Sequence, residues 1–231
     1  MLLSVALAVA LQASPVAAQD VYFEQTTFTY QDGQPQGPGI LSRVWFAGKR
    51  LRLETGVGQG PALILRLDKD LVYRLDPAGK VTLVSPLAAL RAQSQLDLST
   101  AGDLMGGAEE GSARAHQLPG TKVVAGETCQ GYRIRSRTAV MDVFVAPIPG
   151  LGIDAFAEFL EWSGANQSMG GIMEALKTLP GFPMETRSHV SVLGHSQDAI
   201  STLSLLRRGP IDPSLFEPPK DYKVVNEGQA P

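Results

Sequence analysis

Three histidines and one cysteine are the residues best suited to chemistry in this chain of 231 residues. His116, His189 and His195 stand at no metal-ligand spacing, and no His-Glu-x-x-His pattern occurs. Gly194-His195-Ser196-Gln197-Asp198 has the outline of a nucleophile elbow. It carries Asp where the second Gly belongs, and it reads as a hairpin turn. Ser196 would therefore not be raised on a helix N-terminus. Gly56-Val57-Gly58-Gln59-Gly60 lies between two strand patterns, with no helix dipole behind it to hold a phosphate. Asp154, Glu158 and Glu161 share one side of a helical pattern, which reads as a solvated face, as does the Glu109-Glu110 pair. Cys129 has no second cysteine to pair with, so it reads as a small buried apolar side chain. No catalytic residue, no metal site and no cofactor are expected, and an enzyme is not the expected class.

The residues that point to binding are apolar. Phe156, Phe159 and Trp162 stand three apart on a helical pattern, and Met169, Met173 and Phe182 follow closely. Gly150, Gly152, Gly170 and Gly171 flank these segments. Methionine and aromatic side chains on short, glycine-bounded helices can line an adaptable surface. With Trp45 they form a candidate cavity for an apolar ligand. The competing reading is ordinary packing of two helices on a sheet.

Elements that would position these groups are mostly strands. Leu51 and Leu53 alternate with Arg52 and Glu54. Leu63, Leu65 and Leu67 alternate with Arg66 and Asp68, and Leu71, Tyr73 and Leu75 with Arg74 and Asp76. A period of two marks strands with one buried face. Turns at Gly48, at Asp68-Lys69-Asp70 and at Asp76-Pro77-Ala78-Gly79 make neighbouring strands antiparallel. Residues 22–30 read as a first strand, 132–136 with 139–146 as a later hairpin, and 184–193 with 199–207 as the last pair. Helices are expected over 87–98, 153–162 and 172–179. Residues 99–119, with four glycines, read as a flexible connection that contains His116. The tail through Asp212-Pro213-Ser214-Leu215-Phe216 and Pro218-Pro219 is expected to fray after Val225. The order is α+β and mainly antiparallel, with helices packed on one face of the sheet.

Residues 1–18 are uncharged and apolar, broken by Pro15 and closed by Val16-Ala17-Ala18. That is the pattern of a removable secretory signal, with cleavage expected after Ala18. One domain over 19–225 is expected, placed in the periplasm, with 226–231 as a loose end. No later apolar run is long enough for a transmembrane helix. Net charge is −3 and no polybasic run occurs, so neither nucleic acid nor an anionic membrane has an electrostatic footprint here.

Several segments carry a resemblance in their order. Val44-Trp45-Phe46-Ala47-Gly48-Lys49-Arg50-Leu51-Arg52-Leu53-Glu54 resembles a strand pair of an uncharacterised family of exported bacterial proteins. So do the pair over 63–73, Gly126-Glu127-Thr128-Cys129-Gln130-Gly131-Tyr132, and Leu179-Pro180-Gly181-Phe182-Pro183-Met184. The family's close is resembled by Ile211-Asp212-Pro213-Ser214-Leu215-Phe216-Glu217-Pro218-Pro219 with Tyr222-Lys223. The resemblance implies a fold similar to the LolA/LolB-type lipoprotein carriers: a curved half-barrel sheet with short helices on its concave face. It implies a periplasmic carrier or sensor whose partner is a lipid or acyl ligand. An envelope protein bound without any small molecule is the alternative. The lack of a cysteine after the signal sets this chain apart from lipid-anchored relatives.

Overall fold

The computed structural model describes residues 20–56, 60–89, 113–136, 139–149, 151, 171–192 and 194–227. The expected secretory signal, residues 90–98 of the helix expected over 87–98, residues 99–112 of the expected connection and the helix expected over 153–162 lie outside them.

Alternation in the sequence becomes strands where it was expected. In chain order they are β1 (Val21–Gln31), β2 (Gln34–Pro35), β3 (Ile40–Ala47), β4 (Arg50–Thr55), β5 (Ala62–Arg66), β6 (Leu71–Asp76) and β7 (Val81–Pro86). There follow β8 (Ala115–Val124), β9 (Glu127–Arg135), β10 (Ala139–Ala146), helix α1 (Gly171–Lys177), β11 (Phe182–Val192) and β12 (His195–Arg208). A 3-10 turn (Pro213–Phe216) and β13 (Lys223–Asn226) close the chain. All strands belong to one open sheet in the order β13-β7-β6-β5-β4-β3-β1-β12-β11-β10-β9-β8, with β2 beside β1. Among the described residues every ladder is antiparallel except β13 on β7.

The sheet is curved, and contacts across it show where. β8 and β12 are four strands apart, which is about 19 Å in a flat sheet. Yet β8 touches β12, and Arg208 of β12 pairs with Glu127 at the start of β9. Lys122 of β8 reaches Glu185 of β11 at 2.7 Å, passing over the Phe144 ring at 4.6 Å. Gly131 permits this crossing. A Cβ there would stand 2.9 Å from the Phe144 ring and 3.2 Å from Leu118.

Register carries one face across the whole sheet. The side of β1 that shows Val21 and Phe23 continues through Thr27, Ser201, Thr186 and Val143. This inner face holds Phe46, Leu51, Leu65, Val72 and Leu203 in one cluster with Phe182 and Met184. Further along it, α1 buries Ile172, Met173, Ala175 and Leu176 against Ile134, Met141, Val143 and Val145. The helix expected over 172–179 is thus found on the sheet, one residue early at its start.

Two expectations are corrected. His116 does not lie in a loop: β8 begins at Ala115 and runs through it. Pro119, the last residue of the expected connection, sits with Gly120 in a bulge where the register jumps from Gln117 to Thr121. The Gln130 amide donates to the carbonyls of Leu118 at 2.7 Å and Gly120 at 3.3 Å, which satisfies the backbone the bulge leaves unpaired. The C-terminal segment is also more than a tail. Phe216 is fully buried on the outer face among Ala47, Ala62, Ile64, Tyr73 and Leu75. Arg52 donates to the carbonyl of Leu215 at 2.9 Å, and the guanidinium of Arg50 lies 4.9 Å from the Phe216 ring. Buried Arg66 donates twice to Asp68, once to the Phe216 carbonyl and once to Glu217. A buried guanidinium is tolerable only when paired in this way.

Two outcomes follow for stability. Phe216→Ala empties a closed site and should cost about 3–5 kcal/mol in denaturant unfolding. Glu185 is the carboxylate that closes the curl. Burial alone would raise its carboxyl, but the bonds from Lys122 and Arg187 outweigh burial and hold it below the usual range. A lowered carboxylate stabilises the fold fully above its unfolded value, roughly 4.3. That contribution is lost as pH falls through the lower folded value. Glu185→Gln leaves Lys122 and Arg187 partly exposed to water, so it should lose about 1–2 kcal/mol at neutral pH and show a flatter acid limb, read by unfolding curves between pH 7 and 3.

Candidate functional site

The outer face of the second half of the sheet is where charged side chains converge. Cross-strand pairing arranges them in rows. One row runs Phe28 (β1), Ile200 (β12), Arg187 (β11), Asp142 (β10), Arg133 (β9) and His116 (β8). The next runs Tyr30, Asp198, His189, Val140 and Arg135 over the first five of these strands. Between them lies an open trough of about 440 Å³, lined by Tyr30, Arg133, Val140, Asp142, Arg187, His189, Asp198 and Ile200. Gly33 and Ser188 complete the lining.

Each charge in the trough has a partner. Arg133 grips Asp142 with two bonds of 2.6 Å, and this holds the Asp142 carboxyl below the usual range. Arg187 donates its Nε to Glu185 at 2.8 Å, which leaves its terminal nitrogens over the trough, and its side chain is 54% exposed. His189 Nδ1 bonds Asp198 at 2.7 Å. At the trough's end two hairpin tips are tied together. Asp32 accepts from the backbone N–H of Ser196 at 2.7 Å and meets His195 Nδ1 at 3.1 Å. Those bonds, the backbone one first, keep the Asp32 carboxyl below its ordinary value.

Chemically, this arrangement suits recognition. His189 is an imidazole oriented by a carboxylate, the first half of a general base. No hydroxyl or thiol is bonded to its other nitrogen among the described residues. Cys129 is fully buried at the other end of β9, and burial pushes its thiol up. Among the described residues no group of three His, Cys, Asp or Glu side chains could hold a metal ion, and no helix is long and apolar enough to cross a membrane.

The apolar residues singled out in the sequence are dispersed. Met173 is 2% exposed, packed beneath α1. Phe182 is buried in the neighbouring cluster, edge-on to Phe23 with ring centres 5.5 Å apart. Trp45 lies on the outer face instead, 5.0 Å from the Tyr22 ring and 5.9 Å from the Arg52 guanidinium. Trp45 is therefore not brought together with Met173 and Phe182. Phe156, Phe159, Trp162 and Met169 lie outside the described residues. The trough was not found from sequence, because its residues come from five strands that only the sheet brings together. The one available signal was the charge on the polar side of those strands, Arg133, Asp142 and Arg187.

Comparison with solved structures gives distant likenesses. One structure of PNGF-II aligns at 10% identity and TM-score 0.38, covering 91% of this chain and 31% of that one. MucB in complex with MucA(peri) aligns at 10% identity and TM-score 0.45, covering 90% and 57%. A putative outer membrane lipoprotein-sorting protein domain from Vibrio parahaemolyticus aligns at 8% identity and TM-score 0.30, covering 85% and 88%. The chain thus spans about a third of the first of these and just over half of the second. No curated protein sequence matches it. A family model described as a domain of unknown function (DUF4412) matches residues 46–222, from β3 to the segment that seats Phe216, and the chain belongs to that family.

Proposed function

We propose that this is a non-catalytic binding protein of the cell envelope whose outer-face trough engages an extended segment of a polypeptide partner. The observation that carries this reading is the make-up of the trough. Half-exposed Tyr30, Val140 and Ile200 lie among charges that are already paired, and exposed Phe28 continues the apolar strip. A shallow surface of this kind, apolar in patches and bounded by satisfied polar groups, resembles the rim and core of a protein interface. It does not enclose a small molecule as a ligand cavity does. Placement in the envelope rests on the signal pattern of residues 1–18 and on the resemblance to exported proteins.

The carrier reading asks for an apolar cavity beneath residues 153–179. In the described part of that region Ile172, Met173 and Leu176 are packed onto Ile134 and Val143. That packing supports the interaction reading over an acyl ligand.

An array of 12-residue peptides probed with the labelled full-length protein tests this. A defined subset of peptides should bind, and Ile200→Asp should weaken them about tenfold or more with the unfolding midpoint unchanged. Saturable uptake of cis-parinaric acid that Met173→Ala abolishes, with no peptide bound, would overturn the reading in favour of the carrier.

A further inference from the structure

The trough carries an ordered charge pattern, and the pattern specifies a ligand. Arg187, Asp142 and Arg133 are cross-strand neighbours on β11, β10 and β9, which gives plus, minus, plus at steps of about 4.8 Å. The lining sets Arg133 and Arg187 against Asp142 and Asp198, on a chain whose net charge is −3, so the order of the charges and not an excess of one sign distinguishes this surface. Among the described residues Arg187 hydrogen-bonds Glu185 through Nε alone and adds to the field on Asp142, and Arg133 hydrogen-bonds Asp142. Both guanidinia keep donors to offer, because each arginine has five N–H groups.

Resting on the polypeptide reading above, we propose that the trough binds an acidic segment lying across the strands, with carboxylates three residues apart seated on Arg187 and Arg133. The spacing matches. Two strand steps are about 9.6 Å. In an extended left-handed helix, residues three apart lie on the same side and about 9.3 Å from one another. The residue pair between the carboxylates then passes over Asp142, where a third negative charge would be repelled. Ile200 continues the row beyond Arg187, and Val140 lies beside Asp142 in the next row; both can take small apolar side chains. The same alternation argues against an anionic membrane as the occupant. A uniformly negative surface would meet Asp142 and Asp198 as well as the arginines, and membrane docking relies on runs of cations.

The test uses the full-length protein with three blocked nine-residue peptides: Glu-Ser-Ala repeated, Gln-Ser-Ala repeated, and a peptide with Glu at every second position. Titration calorimetry should show binding of the first, weakening as salt rises. The glutamine peptide should bind about tenfold or more weaker, and the second-position peptide should also be weaker. Arg187→Gln should bring the first peptide down to the level of the glutamine peptide. The peptide comparison on unaltered protein stands even if that variant is unstable. Equal affinity for the glutamate and glutamine peptides would overturn this inference and leave the polypeptide reading intact. Binding of no peptide would overturn both. Binding to phosphatidylglycerol vesicles in place of the peptides would overturn the inference in favour of a membrane surface.

Discussion

One ladder joins the two halves of this sheet. β1 pairs with β12 from Val21 against Arg208 to Gln31 against Gln197, so the first strand of the domain closes on nearly the last. The other antiparallel ladders link strands close in the sequence: β3 through β7 form one meander, and β8 through β12 another. Without the β1–β12 ladder each meander would end in a bare edge, and the inner-face cluster that spans Phe23, Phe46 and Leu203 would be cut in two. Closing so long a loop costs entropy before any contact repays it, so this pairing should form late and hold the fold once made. The trough depends on it as well. Phe28 with Ile200, and Tyr30 with Asp198, are rungs of that ladder, and they bring β1 to the rows built by β9 to β11.

Two further long-range anchors explain why the remaining surfaces are stable. At one end the curl is drawn in by Lys122, Arg187 and Glu185, with Gly131 making room for Phe144 beneath the lysine. At the other, the C-terminal segment seats Phe216 on the outer face and lays β13 along the edge of β7. An open sheet has two edges to manage. β7 is covered by β13. β8 carries Pro119 and a bulge, features that discourage pairing with another chain. The outer face is thereby divided. Its first half is occupied by the chain's own segment, and its second half is the polar trough.

Much of the sheet could be read from sequence because β4, β5 and β6 alternate cleanly between leucines and charges. Residues 115–119 were misread because Pro119-Gly120 carries a strong loop signal, and only the partner strand reveals a bulge. The role of Phe216 was hidden for a similar reason. A proline-rich segment without periodicity gives no sign that one side chain will be buried, and Arg50, Arg52 and Arg66 look like ordinary solvent-facing residues of their strands. The trough was invisible because cross-strand neighbours such as Arg187 and Asp142 are distant in sequence. Sequence reasoning favoured aromatic and methionine residues for a site, yet Met173 and Phe182 are packing residues of the inner face and Trp45 belongs to the outer one.

The central claim is that the ligand lies on the outer face and not beneath the helix. Methyl-labelled NMR spectra of the full-length protein, recorded with the Glu-Ser-Ala peptide, separate the two sides directly. Val140 and Ile200 face the trough, whereas Ile172, Met173 and Leu176 face the inner core. Shifts at Val140 and Ile200 with the inner methyls unmoved are the expected result. Shifts confined to Ile172, Met173 and Leu176 would contradict it.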